Sequence, residues 1–172
     1  IVLLLDLMPH GALRCGHWLS SLLALTAFIA VVHTARELTV ANAYCAFTCA
    51  LLVWGWHELS FLSGWITGPR KTRLPQGTTG WPRFVESVRA ILWHELAILA
   101  SGLLIAALTW NMANTVGMAT FAVLWVMRIS AKLNVFLGVR NLSIELLPPH
   151  LAYLGSYFRR RPMNRLFPLA VT

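Results

Sequence analysis

Apolar residues occur along this chain in long blocks separated by short polar breaks. That is the pattern of helices that cross a bilayer, each needing about 20 apolar residues at about 1.5 Å of rise. Residues 1–8 read as the tail of a first, incomplete block, ended by Pro9 and Gly11. A second and rather short block covers residues 18–32, and His33, Arg36 and Glu37 break it off. The third, residues 39–65, is long and is closed by Gly68-Pro69, a pair that follows helices because proline cannot continue one. A loop rich in Lys, Arg, Pro, Gly and Thr (70–83) leads to a fourth block at 84–108. An uncharged turn at 111–115 precedes a fifth at 116–137. Beyond it, Pro148-Pro149, Arg159-Arg160-Arg161 and Pro162 leave nothing long enough to span. Tyr153, Tyr157, Phe158 and Phe167 among those arginines predict segments lying on one membrane face. The expectation is an all-α polytopic membrane helix bundle of about five transmembrane helices. It divides into the bundle, residues 1–137, and a basic interfacial C-terminal segment, residues 138–172.

Composition agrees. The chain is 58% hydrophobic and 12% charged, against about 45–50% and 25% for soluble domains. Its 172 residues make one domain with no room for a separate soluble module. Eight Trp and three Tyr suit two membrane interfaces. Three Cys give no disulfide framework; Cys45 and Cys49, four apart on an apolar helix, read as small packing residues. Ala46 with Ala50 and Gly64 with Gly68 have the small-xxx-small spacing of close helix contacts. With alternate loops on opposite sides, thirteen of the fourteen Lys and Arg fall on one side and only Arg36 on the other. By the positive-inside rule the first side is cytoplasmic. The net charge of +8 therefore suits anionic lipid headgroups or an acidic partner surface on that face. Nucleic acid is a poor partner, because the cations are spread over membrane-proximal loops.

Inside the apolar blocks lie two identical quartets, Trp56-His57-Glu58-Leu59 and Trp93-His94-Glu95-Leu96. Ionisable groups in hydrocarbon are expensive unless answered, which makes them candidates for function. The fifth block supplies the answer, Arg128 and Lys132, one turn apart on one helix face, with Asn134 nearby. Counted from the block ends, His57, His94 and Arg128 fall at similar depth, mid-membrane or slightly toward the cytoplasm. Two carboxylates and two cations balance, and Arg128 is placed to fork onto one carboxylate with two bonds. The intramembrane polar cluster is thus His57, Glu58, His94, Glu95, Arg128, Lys132 and Asn134. Its plain role is interhelical hydrogen bonding. A sharper one is axial ligation of a pigment or another tetrapyrrole by His57 or His94, as neutral imidazoles. A di-metal site fits poorly, because it needs Glu-x-x-His spacing and adjacent His and Glu diverge by about 100°. Proton transport also fits poorly, since the polar residues form one layer and not a path. No catalytic residue and no resident metal is assigned.

The run Trp54-Gly55-Trp56-His57-Glu58-Leu59-Ser60-Phe61-Leu62-Ser63-Gly64, then Ile66-Thr67-Gly68-Pro69-Arg70, resembles the PuhE family of photosynthetic complex assembly proteins. So do Arg83-Phe84, His94-Glu95-Leu96, and Leu124-Trp125-Val126-Met127-Arg128 with Ser130-Ala131-Lys132-Leu133-Asn134-Val135-Phe136-Leu137-Gly138-Val139. Leu146-Leu147-Pro148, Ser156-Tyr157-Phe158-Arg159-Arg160 and Met163-Asn164 continue it, so the likeness covers most of residues 44–168. The resemblance implies a multi-pass protein of the bacterial inner (intracytoplasmic) membrane. Such a protein assists assembly of the photosynthetic reaction centre and its core light-harvesting subunits, or stays attached as an accessory subunit. It implies no catalytic residues. Bacteriochlorophyll held by His57 or His94 is the candidate cofactor. The rival is a membrane-embedded tetrapyrrole- or metal-dependent enzyme that uses the two His-Glu pairs.

Overall fold

A computed structural model describes residues 10–140, 144, 147–159, 161, 164 and 166–171. Four helices, α1 (His10–Thr34), α2 (Val40–Leu62), α3 (Gly80–Thr109) and α4 (Val116–Leu137), are long and apolar enough to cross a membrane. A 3₁₀ helix (Pro149–Tyr157) and a short α5 (Leu166–Val171) follow. Among the described residues there is no strand, and the polytopic helical bundle is the fold. The reading of residues 1–8 as part of an earlier span lies outside the described residues, as do Arg160, Pro162 and Arg165.

Helix ends depart from the hydropathy blocks for local reasons. α1 begins at His10 and runs through Gly11, which does not end it. A glycine inside a helix costs only about 1 kcal/mol against alanine, and Ala12 and Leu13 beside it are good helix formers. α2 stops at Leu62, three residues before the apolar block does, because Gly64 adopts φ +78° and turns the chain out of the helix. α3 starts at Gly80, four residues early, since Pro82 is tolerated in a first turn that needs no donor there. At about 1.5 Å per residue, its 30 residues exceed a hydrocarbon core.

Capping fixes which ends meet. Thr39 Oγ1 accepts from the Asn42 N–H at 3.1 Å and opens α2. Asn114, buried, accepts from the Val116 N–H at 3.1 Å through its side chain and so satisfies the first donor of α4. Its amide donates to Thr34 O at 3.0 Å, and its own N–H to Ala35 O at 2.9 Å. The α3–α4 turn is thereby tied to the end of α1, where Arg36 lies. The 70–83 loop and the chain after α4 lie at the opposite end.

The core between the helices consists of Ala27, Val31, Ala50, Val53, Ile98, Ile105 and Phe121. Small residues set the spacing: Ala46 and Ala50 are buried. A Cβ on Gly117 would meet Val31 Cγ1 at 2.8 Å and Ala46 O at 3.5 Å. Trp18, Leu22, Ile29, Phe47, Leu103 and Val126 face outward, as lipid-facing positions do. Gly117→Ala is therefore expected to lower stability by about 1–3 kcal/mol through overpacking. Gly55→Ala, in mid-α2 with nothing within 4 Å of the new Cβ, is expected to be neutral or stabilising by up to about 1 kcal/mol. Thermal unfolding in detergent separates the two, and equal midpoints would refute this view of the α1–α2–α4 contact.

Candidate functional site

The polar layer forms where α2, α3 and α4 meet. On α2 the adjacent His57 and Glu58 point about 100° apart, so they serve different neighbours. His57 turns to α3, its Nε2 lying 3.0 Å from Ser101 Oγ. Glu58 turns to α4 and accepts through Oε1 from Arg128 Nη1. On α3, His94 and Glu95 both reach α4: His94 Nε2 is 2.6 Å from Arg128 Nη2, and Glu95 Oε1 pairs with Lys132 Nζ. Glu95 Oε1 also lies 3.7 Å from Arg128 Nε. Arg128 is the hub, its side chain 13% exposed against 32% for Glu58, 24% for Glu95 and 28% for Lys132.

The expected fork onto one carboxylate does not form. The guanidinium divides instead between Glu58 and His94, because side chains of two different helices flank it. A guanidinium only donates, so His94 Nε2 is an acceptor and the ring is the neutral tautomer with its proton on Nδ1. His94 Nδ1 and His57 Nδ1 are buried without hydrogen-bond partners. The two rings lie 6.4 Å apart. Phe61 closes one side, with its ring 4.7 Å from that of His94 and 5.8 Å from both Arg128 Cζ and Lys132 Nζ. Trp54 lies 6.0 Å from Arg128 Cζ. These distances are in the cation–π range.

One further expectation needs correction. Asn134 is not in the cluster: its side-chain amide donates to Ser130 O at 3.0 Å, and its backbone carbonyl accepts from the Asn164 amide at 3.2 Å. Two residues past Lys132 is roughly 200° around the helix, so it faces away. At about 1.5 Å per residue, Arg128 is about 18 Å and His57 about 26 Å from the Arg36 end of their helices. On these two helices the layer therefore lies nearer the basic end. The two quartets also differ: Trp56 donates to Ser21 Oγ on α1 at 2.9 Å, whereas Trp93 is 54% exposed.

Other contacts brace the layer. Thr67 O accepts from the His94 N–H at 2.9 Å. This is possible because Gly68 lies against the α3 backbone, where a Cβ would come within 2.5–2.6 Å of Ala90 C and O and closer still to Arg89 O. His17 Nε2 is 2.6 Å from Ser63 Oγ. Buried Arg83 donates to Phe136 O at 3.0 Å and to Tyr157 O at 2.6 Å, with Cζ 4.1 Å from the Phe136 ring. Asn164 donates to Gly138 O at 2.8 Å and caps α5. Arg83 and Asn164 together satisfy carbonyls at the α4 end. Sequence periodicity could not find them, since Arg83 reads as a loop charge until its partners' positions are known. Val139 and the 159–161 stretch exchange two backbone hydrogen bonds, of 3.1 and 3.3 Å.

Chemically, the layer clamps three helices. Both carboxylates are paired, and both Nε2 atoms are engaged. Cys45 and Cys49 are free thiols, 3.9 Å apart at sulfur. Among the described residues, no three His, Cys, Asp or Glu side chains converge as a metal site requires.

Residues 1–172 match the family model described as a protein of unknown function, DUF3623. Over 145 residues the chain is 43% identical to the uncharacterized 30.4 kDa protein in the puhA 5′ region of Rhodobacter capsulatus. That stretch is 84% of this chain and 53% of the relative, so the chain spans about half the relative's length. No solved structure matches at a significant level.

Proposed function

The chain belongs to the DUF3623 family, and from that membership we propose that it assists assembly of a photosynthetic membrane complex or supports it as an accessory subunit. The observation that carries this is the 43% identical relative from the puhA 5′ region, a photosynthesis gene region. The resemblance to PuhE-type assembly proteins supports the finer reading, in which the reaction centre and its core light-harvesting subunits are the partners. The membrane is then the bacterial inner membrane. We propose a non-enzymatic role, in which the ionic layer gives the bundle one rigid arrangement against which partner helices dock.

The docking reading does not call on pigment ligation. An axial ligand needs a ring nitrogen facing open space. His94 Nε2 faces Arg128 at 2.6 Å, His57 Nε2 faces Ser101 at 3.0 Å, and both rings are buried. A macrocycle at either ring would require the helices to part. The proposal therefore rests on docking and not on a held bacteriochlorophyll.

The test is deletion of the gene in a phototrophic host, followed by absorption spectroscopy of membranes during induction of photosynthetic growth. Slower accumulation of reaction-centre and core-antenna bands, with co-purification of their subunits on the tagged wild-type protein, is the expected result. Normal accumulation in the deletion strain, with no such subunits on the tag, would overturn the proposal. The orientation has its own check. Protease added to the periplasmic face is expected to leave the 70–83 loop intact, and protease on inverted vesicles to cut it. Cleavage from the periplasmic side would reverse the topology.

A further inference from the structure

The base of α3 carries a charge cluster that the ionic layer does not use. Arg70 lies against it and pairs through Nη1 with Glu86 Oε2 at 2.8 Å. Its Nε donates to the Tyr157 hydroxyl at 2.8 Å, and that hydroxyl donates to Thr72 O at 2.9 Å. The other oxygen of Glu86 pairs with Arg89 Nη1 at 3.1 Å. Pro69, Arg70, Lys71, Thr72, Glu86 and Arg89 line an open cleft of about 410 Å³.

Three cations and one carboxylate meet there, and each oxygen of Glu86 lies in an ion pair with one arginine. The cleft carries more cations than its one carboxylate balances, which makes it suited to an anion and not to a metal cation. Arg70 is already held by Glu86 and Tyr157, so presenting its remaining N–H groups costs little further ordering. Lys71 is exposed and the Arg89 side chain is 58% exposed, leaving both accessible. Guanidinium groups match phosphate oxygens in pairs, and a lysine adds a point charge. Arg89 is six residues, or about 9 Å, from Glu95 along α3. The cleft thus lies just outside the ionic layer, at the basic end of the bundle. Trp65 and Trp81 are exposed at the same end, and indoles favour headgroup depth. The phosphate most abundant at that depth belongs to lipid.

We propose that the cleft between residues 69–72 and the base of α3 binds the phosphodiester of an anionic phospholipid headgroup through Arg70, Lys71 and Arg89. The site is independent of the photosynthetic reading, and its failure would leave that reading untouched.

The test uses the full chain in nanodiscs of mixed phosphatidylglycerol and phosphatidylcholine, with native mass spectrometry of the lipid retained on release. The wild type is expected to retain phosphatidylglycerol over phosphatidylcholine. The double variant Lys71→Gln/Arg89→Gln is expected to lose that preference by roughly tenfold or more. Arg89→Lys is expected to keep most of it, and Arg36→Gln, at the far end, all of it. Unchanged preference in the double variant would overturn the site, as would equal loss in Arg36→Gln. Displacement of phosphatidylglycerol by millimolar inorganic phosphate would overturn the lipid as the source of the anion.

Discussion

Arg128→Leu is expected to be among the most damaging single substitutions in the bundle, costing about 3–5 kcal/mol, the range for removing one partner of a buried ion pair. Glu58 loses its cation, and His94 Nε2 loses its donor. Glu95 retains Lys132, so the damage centres on the α2–α4 contact. The protein is expected to accumulate poorly in membranes and to unfold at lower temperature in detergent. Arg128→Lys restores the charge but supplies one ammonium where two guanidinium nitrogens reach two helices, so partial rescue is expected. Arg128→Leu/Glu58→Leu is expected to recover much of the loss, because no stranded carboxylate remains between α2 and α4. If the double variant is no better than Arg128→Leu alone, the coupling between these two residues is absent and the clamp is misassigned.

Gly68→Ala is the second. The new Cβ would strike α3 backbone at Arg89 and Ala90, and backbone cannot rotate aside as a side chain can. The loop must lift off α3, which breaks the bond from the His94 N–H to Thr67 O. The cost is expected at or above the upper end of the overpacking range of about 1–3 kcal/mol. Gly77→Ala is the control. It has φ +81° but open space around the new Cβ, so it is expected to lose only the about 1–2 kcal/mol of a left-handed alanine. Hydrogen exchange gives a local readout: the His94 amide is expected to exchange faster in Gly68→Ala and unchanged in Gly77→Ala. Equal protection in both would mean that the loop does not pin α3.

The two substitutions act on one object from two sides. Arg128 gathers the layer from α4, while Gly68 lets the chain after α2 hold α3 at His94. The proposed docking role needs both, since a partner helix can read only a surface that stays put.

Hydrophobic patterning alone determined the class, the four described helices, the turn at 111–115 and the separation of Arg36 from the 70–83 loop. These follow from the length of apolar chain a bilayer demands and from charge that cannot enter it. The same logic singled out Glu58, Glu95, Arg128 and Lys132, because unpaired charges in hydrocarbon must find each other, and they do. Which pairs form was decided by the tertiary structure. The angle between neighbouring residues sends His57 to Ser101 and Glu58 to Arg128, and Asn134 turns away from both. The left-handed Gly64 ends α2 before the apolar block does. Gly68, Arg83 and Asn164 gain their meaning only from backbone that the fold brings beside them, since a carbonyl carries no mark in the sequence of which side chain will reach it.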